Sequence, residues 1–173
     1  MTGDGRIIIN TGDGKGKTTA ALGLAFRALG HGRRVCVIQF IKGQGEYGER
    51  LFAESLAGLD WFICGKGFVF KKERIEEDRI VARAGFELAR EKIASDAYDL
   101  IILDELTYLP QFGFLDVADI VEVLTHKPPR LTIVITGRNA PNELVAVADT
   151  VTDMQSVKHA FASGVKAQKG IEF

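Results

Sequence analysis

The chain has 173 residues and a mass of 18.9 kDa, enough for one domain with a substantial core and too little for two. Lys plus Arg number 22 against 23 Asp plus Glu, a formal charge of −1 that excludes electrostatic binding to nucleic acid or anionic membrane, since both need a basic excess. Hydrophobic residues at 46% and charged residues at 26% exclude a disordered chain, and no apolar run nears the roughly 18 residues of a membrane helix.

Short apolar runs alternate with helical patterns along the whole length. Ile7-Ile8-Ile9 is a β-branched strand run, and the glycine-rich Gly12-Asp13-Gly14-Lys15-Gly16 follows it at once. Thr18 to Leu29 has the alanines and leucines of an amphipathic helix, with Gly30 or Gly32 as its stop. Val35 to Phe40 is a second buried strand. A loop with Gly43, Gly45 and Gly48 leads to a short helix around Arg50 to Leu56, then to a strand at Trp61-Phe62-Ile63-Cys64 and a loop at Gly65 to Lys72. Glu73 to Ser95 is the longest helix, with Ile80, Ala84, Leu88 and Ile93 expected on its apolar face. Leu100 to Leu103 is a fourth strand, Val117 to Leu124 a helix closed by Pro128-Pro129, and Leu131 to Ile135 a fifth strand. Pro141 suits the first position of a helix running to about Val147, and Thr150 to Met154 is a sixth strand. Strands that are almost wholly apolar, separated by helices, predict a mostly parallel sheet of about six strands with helices on both faces, an α/β fold. Residues 157–173 hold three lysines and two glycines and are expected to form a surface tail of a single domain spanning 1–173.

The segment joining the first strand to the first helix has the chemistry of a phosphate loop. Glycines let successive backbone N–H groups converge on one anion, and the helix N-terminus adds its positive dipole end. Lys17 would reach phosphate oxygens and Thr18 would offer its hydroxyl to Mg²⁺. In the usual spacing, G-x-x-x-x-G-K-[ST], the first glycine would fall on Thr11. The loop is therefore a threonine variant or one residue short, which argues against ordinary γ-phosphate chemistry. This motif specifies the α/β fold as P-loop NTPase-like, of the RecA-like kind.

Its partner is Leu100-Ile101-Ile102-Leu103-Asp104-Glu105. An acid at the end of a buried strand lies beside the phosphate loop in such folds and holds Mg²⁺ directly or through water. Two acids stand together here, and side chains alternate along a strand, so Asp104 and Glu105 are expected to have separate tasks. One could hold the metal while the other orients Thr18 or a water. Gly43-Gln44-Gly45-Glu46-Tyr47-Gly48 fits G-x-G-x-x-G, but the acid a dinucleotide site needs at the end of the next strand is missing, so it is read as a flexible loop. His31, His126 and His159 show no metal-ligand spacing. Cys36 and Cys64 fall in expected strands as small buried thiols, too few for a disulfide framework or a zinc site. Met1 to Arg6 lacks a signal-type apolar stretch, which predicts a cytoplasmic protein.

Taken in order, several blocks resemble the P-loop corrinoid adenosyltransferases. They are Thr11 to Ala21, Val37 to Gly43, Gly48-Glu49-Arg50, Leu103 to Tyr108, Ile135-Thr136-Gly137-Arg138, Val157 to Phe161, and Gly164 to Gln168, spread over nearly the whole chain. The resemblance implies transfer of the 5′-deoxyadenosyl group of ATP to the Co(I) of a reduced corrinoid, with release of triphosphate, in adenosylcobalamin synthesis or salvage. It implies an ATP site of Thr11, Gly12, Asp13, Gly14, Lys15, Gly16, Lys17, Thr18, Thr19 and Arg138. It also implies Mg²⁺ or Mn²⁺ at Thr18, Asp104 and Glu105, and Lys17, Arg138 and Glu105 as catalytic candidates. Aromatic side chains that clear the lower axial ligand from cobalt match Phe68 and Phe70, where relatives often carry tryptophan at the second position. A homodimer and an electron-donating reductase, such as a flavoprotein, are the implied partners.

One departure is visible. The first strand begins near Arg6, leaving little chain for the N-terminal arm that relatives fold over the corrinoid, so Gly43 to Gly48 or the C-terminal tail is expected to cover the site, or the site stays more open. Two other functions compete: an NTP hydrolase or small-molecule kinase using Glu105 to activate water or place an acceptor, and a nucleotide-binding regulatory module without turnover. The released product separates them.

Overall fold

The computed structural model describes residues 4–41, 43, 45, 47–67 and 75–171. Six strands form one sheet: β1 (Ile7–Thr11), β2 (Val35–Gln39), β3 (Leu59–Ile63), β4 (Leu100–Asp104), β5 (Thr132–Thr136) and β6 (Thr150–Asp153). Their order across the sheet is β3-β2-β4-β5-β1-β6, and every pairing is parallel. The helices are α1 (Lys17–Gly30), α2 (Gly48–Ala53), α3 (Ile75–Ala94), α4 (Tyr108–Gln111), α5 (Val117–Thr125) and α6 (Asn142–Val147), with a 3₁₀ turn at Ala160–Ser163.

Continuous apolar strands suit this sheet because both faces are covered. Val35 and Val37 of β2, with Leu100 and Ile102 of β4, pack on Ala21 and Ala25 of α1. The alternate residues Cys36, Ile38, Ile101 and Leu103 join Phe86, Ile93, Ile120, Leu124 and Leu144, from α3, α5 and α6, on the opposite face. Strand β6 departs from the pattern: it lies at the sheet's edge, reads Thr-Val-Thr-Asp, and is exposed throughout.

Three local expectations need correction. The apolar face of α3 is not Ile80, Ala84, Leu88 and Ile93; Ile80 is 62% exposed, and the buried residues are Ala82, Gly85, Phe86, Ala89 and Ile93. Small residues win because the helix sits close to the sheet: a Cβ on Gly85 would lie 2.6 Å from the Cβ of Cys64. Pro141 stands one residue before α6 as its N-cap, with ψ 146°, so Asn142 is the first helical residue. The short helix α4 was not expected at all, because Pro110 lies within it. Elsewhere α2 starts at Gly48, two residues early, since Tyr47 is extended and Ser55 ends the turn on the carbonyl of Phe52. The capping of α5 is conventional, with Asp116 accepting from the N–H of Ala118 at 3.0 Å.

Candidate active site

Among the described residues the buried polar side chains are Asn10, Gln39, Asp104, Thr107 and Thr136. Gln39, Asp104 and Thr136 close β2, β4 and β5, Asn10 is the penultimate residue of β1, and Thr107 follows β4 by three residues. Burying polar groups without partners costs a few kcal/mol each, so their gathering along one sheet edge marks the place where the fold tolerates polarity for a purpose. This is the carboxyl edge of a parallel sheet, where ligands of open α/β folds bind.

Asp104 is the hub. Its Oδ1 accepts the Thr18 hydroxyl at 2.8 Å and the Thr136 hydroxyl at 2.6 Å, and its Oδ2 accepts Gln39 Nε2 at 2.9 Å. The carboxylate is fully buried, and three donors offset the cost of removing it from water. The structure thus brings Thr18 and Asp104 together, Asp104 being the one of the two acids that meets Thr18. The strand alternation expected to separate Glu105 from Asp104 does not apply. Strand β4 ends at Asp104, and Glu105 has φ +64°, a left-handed conformation uncommon for a residue with a Cβ. Its N–H is tied to Thr136 Oγ1 at 2.9 Å, so Thr136 serves both acids. Such strained residues concentrate at functional sites.

The phosphate loop turns at Gly12, whose φ of +95° leads the chain away from β1. A Cβ there would lie 2.2 Å from Asp153 Oδ1 and 2.5 Å from the carbonyl of Met154, so the loop is pressed against the chain leaving β6. Gly16 caps α1, which begins at Lys17. Lys17 Nζ donates to the carbonyls of Gly12 at 2.7 Å and Gly14 at 2.6 Å, folding the ammonium over its own loop. Burial lowers the Lys17 pKa from its ordinary value, the positive charge of Arg138 lowers it further, and Asp13, Glu105 and Asp153 oppose both. Asn10 Nδ2 reaches the Lys17 carbonyl at 3.3 Å. Thr11, at the position of the usual first glycine, accepts the N–H of Ala140 at 3.1 Å and so ties β1 to the chain beyond β5.

Arg138 sits two residues past β5, with its guanidinium 3.6 Å from the exposed carboxylate of Asp13. Its carbonyl accepts the Thr107 hydroxyl at 2.7 Å. Gly137 between them has φ +140°, and a Cβ would fall 2.0 Å from Thr107 Oγ1, so only glycine lets the two segments meet.

A cleft of about 430 Å³ opens beside the loop, lined by Lys15, Lys17, Thr18, Thr19, Glu49 and Ile171 among others. Gly48 and Gly170 also line it. A second cavity, of about 160 Å³ and mostly apolar, lies at the ends of β2 and β3 between Phe40, Cys64, Gly67, Ile75, Phe112 and Phe114. Phe68 and Phe70 lie outside the described residues. Of the G-x-G-x-x-G segment, Gly43 lies against the backbone of Lys66 and Gly67.

Sequence reasoning did not assign roles to Gln39, Thr136, Thr107 or Asn10. A signal existed for Gln39, the single polar residue of β2 and the one that closes it, and a weaker one for Thr136 and Asn10, polar residues at the ends of β5 and β1.

A family model described as ATP:corrinoid adenosyltransferase BtuR/CobO/CobP matches residues 3–173. The chain is similar to a corrinoid adenosyltransferase of Escherichia coli (strain K12), with 42% identity over 98% of this chain and 86% of that protein. It is also similar to corrinoid adenosyltransferase CobA of Salmonella typhimurium, with 41% identity over 98% and 86%, and to a corrinoid adenosyltransferase of Pseudomonas aeruginosa, with 38% over 98% and 84%. Among solved structures, the flagellar accessory protein FlaH from Methanocaldococcus jannaschii superposes with a TM-score of 0.57 at 14% identity, covering 87% of this chain and 71% of that one. That likeness concerns the fold alone.

Proposed function

The chain belongs to the ATP:corrinoid adenosyltransferase family, and from that premise we propose how its residues carry out ATP-dependent adenosyl transfer to a corrinoid. Co(I) of the corrinoid attacks the ribose C5′ of ATP. The cobalt electron pair makes the Co–C bond, the C5′–O bond breaks, and triphosphate leaves with that bond's electrons. Nothing is deprotonated, so no protein base is needed. The protein's tasks are to aim C5′ at cobalt and to stabilise charge on the departing triphosphate.

The observation that carries this reading is the Thr18 hydroxyl donating at 2.8 Å to buried Asp104 beside a glycine loop. Loop N–H groups, Lys15 and Lys17 receive the phosphates, with Lys17 exchanging its loop carbonyls for phosphate oxygens. Arg138 completes the positive side of the cleft. The residues also fit a hard divalent cation: the Thr18 proton is committed to Asp104, which leaves the hydroxyl oxygen's lone pairs for Mg²⁺ or Mn²⁺. When bound, the ion adds positive charge at the leaving triphosphate; Thr18 holds it, Asp104 orients Thr18, and Glu105 orients its waters.

Phe68 and Phe70 are assigned to the lower face of the corrinoid. The apolar cavity bounded by Gly67 and Ile75, on either side of that segment, supports the assignment. An electron-donating flavoprotein supplies Co(I), and the protein acts in the cytoplasm as a homodimer. The stacked rings of Phe26 and Phe52, 60% and 50% exposed, are an apolar surface that a second copy would cover.

Chemically reduced cob(I)alamin, ATP and Mg²⁺ mixed with the protein should yield a Co–C bonded product, seen in the absorption spectrum, with one triphosphate per adenosyl group. ADP and phosphate without that spectral change would replace this reading with hydrolysis or kinase chemistry.

A further inference from the structure

We propose that Gln39, held in one orientation by Trp61, is a positioning residue that sets the Asp104 carboxylate, and through it the Thr18 hydroxyl, for cation-dependent ATP binding. The inference rests on the reading of Thr18 as the residue that holds the divalent cation. Gln39 is 2% exposed and ends an apolar strand, opposite Ile63 of β3 on one side and Asp104 of β4 on the other. Packing alone would favour valine or isoleucine there, because a buried amide must find partners or lose a few kcal/mol.

It finds two partners. Trp61 Nε1 donates to Gln39 Oε1 at 3.1 Å, and Gln39 Nε2 donates to Asp104 Oδ2 at 2.9 Å. An indole N–H is a donor only and an ionised carboxylate an acceptor only, so the amide fits between them one way round. A flipped amide would set its oxygen against Asp104 and its NH₂ against the indole, two repulsive contacts at once. The relay therefore has a fixed polarity, from Trp61 through Gln39 to Asp104. With Oδ2 occupied, the carboxylate cannot turn, and Oδ1 stays where the hydroxyl protons of Thr18 and Thr136 meet it. Thr18 then presents its oxygen, not its proton, to the loop cleft. Without Gln39 the carboxylate loses the donor on Oδ2, and the direction of the Thr18 proton is less closely specified.

The test is calorimetric binding of ATP with and without Mg²⁺, beside thermal unfolding, for the unsubstituted protein, Gln39→Met, Trp61→Phe and Lys17→Ala. Gln39→Met keeps the volume and removes the amide; it should raise the Kd for ATP with Mg²⁺ by about tenfold and leave Mg²⁺-free binding within about twofold. Trp61→Phe keeps the aromatic body and should act in the same direction by about threefold. Equal losses with and without Mg²⁺ would make the relay a structural element and overturn the proposal, as would unchanged binding in both variants. Lys17→Ala separates this failure from a failure of the phosphate-loop reading: if it binds ATP with Mg²⁺ as the unsubstituted protein does, the loop assignment itself is lost.

Discussion

Lys17 is where the chemistry of the loop is most exposed to measurement. Lys17→Ala should lower ATP affinity by about one to two orders of magnitude, the worth of a charge-assisted contact of about 1.5–3 kcal/mol. Its lowered pKa also fixes the sign of two pH effects in the nucleotide-free protein. Between the folded pKa and the unfolded value of 10.5, the unfolded chain binds more protons, so Lys17 makes stability rise with pH in that window. Phosphate affinity moves the other way and should begin to fall below pH 10.5, as the ammonium is lost. Lys17→Arg should remove that alkaline decline, because guanidinium stays charged. Titration of ATP affinity against pH checks both; a decline identical in the arginine variant would assign it to another group. Thr136 offers a second residue-specific test. Its hydroxyl donates to Asp104 and accepts from the strained Glu105 N–H, so Thr136→Val should destabilise the fold by about 1–3 kcal/mol in denaturant unfolding, although the shape is kept. Both Thr136 and Gln39 were legible as polar strand ends, but which atoms they serve depends on strands far apart in sequence.

Two glycines inside helices show how differently the same residue type can matter. Gly23 lies within α1, and a Cβ there would meet nothing within 4 Å. Gly23→Ala should therefore stabilise the protein by about 0.5–1 kcal/mol through helix propensity and reduced chain entropy. Gly85→Ala in α3 gains the same propensity but drives a Cβ to 2.6 Å from that of Cys64, so α3 must shift off the sheet. A loss of about 1–3 kcal/mol is expected, the usual cost of overpacking. Thermal unfolding of the pair decides it, and equal shifts would contradict the close packing of α3. This is also where apolar periodicity misled. The large side chain of Ile80 drew the face of α3 to the wrong side, whereas a helix lying tight on a sheet selects alanine and glycine at the contact.

Adenosyl transfer and the making of Co(I) are separable at the level of the whole enzyme. If Phe68 and Phe70 clear the lower face of cobalt, replacing both with alanine should cripple turnover that starts from cob(II)alamin and a weak reductant. The same protein should stay far more active when Co(I) is supplied chemically, because in the proposed mechanism attack on C5′ depends on ATP placement by Lys17, Thr18 and Arg138. Removing two aromatic bodies also weakens corrinoid binding, by a few kcal/mol at most, so both assays belong at saturating corrinoid. Equal losses in the two assays would leave the phenylalanines as loop packing. Sedimentation of the intact protein tests the homodimer, and Phe26→Asp should shift it toward monomer if the Phe26–Phe52 stack is covered by a second copy.

Local chemistry determined much of this protein before any folding was considered. Apolar runs of three to six residues dictated buried strands, helical intervals between them dictated parallel pairing, and Gly12 to Thr18, between a strand and a helix, have the residue types of a phosphate loop. Those features act over a few neighbouring residues, so they can be read along the chain. The strand order β3-β2-β4-β5-β1-β6 was not readable in that way, and the site depends on it. Only that order sets β4 between β2 and β5, so that Asp104 receives Gln39 from one neighbour and Thr136 from the other while α1 delivers Thr18. The left-handed turn at Glu105 and the pressing of Gly12 against the chain after β6 have the same origin. Hydrogen bonds and steric contacts between residues 32 to 142 positions apart are formed by the tertiary structure, and no local preference encodes them.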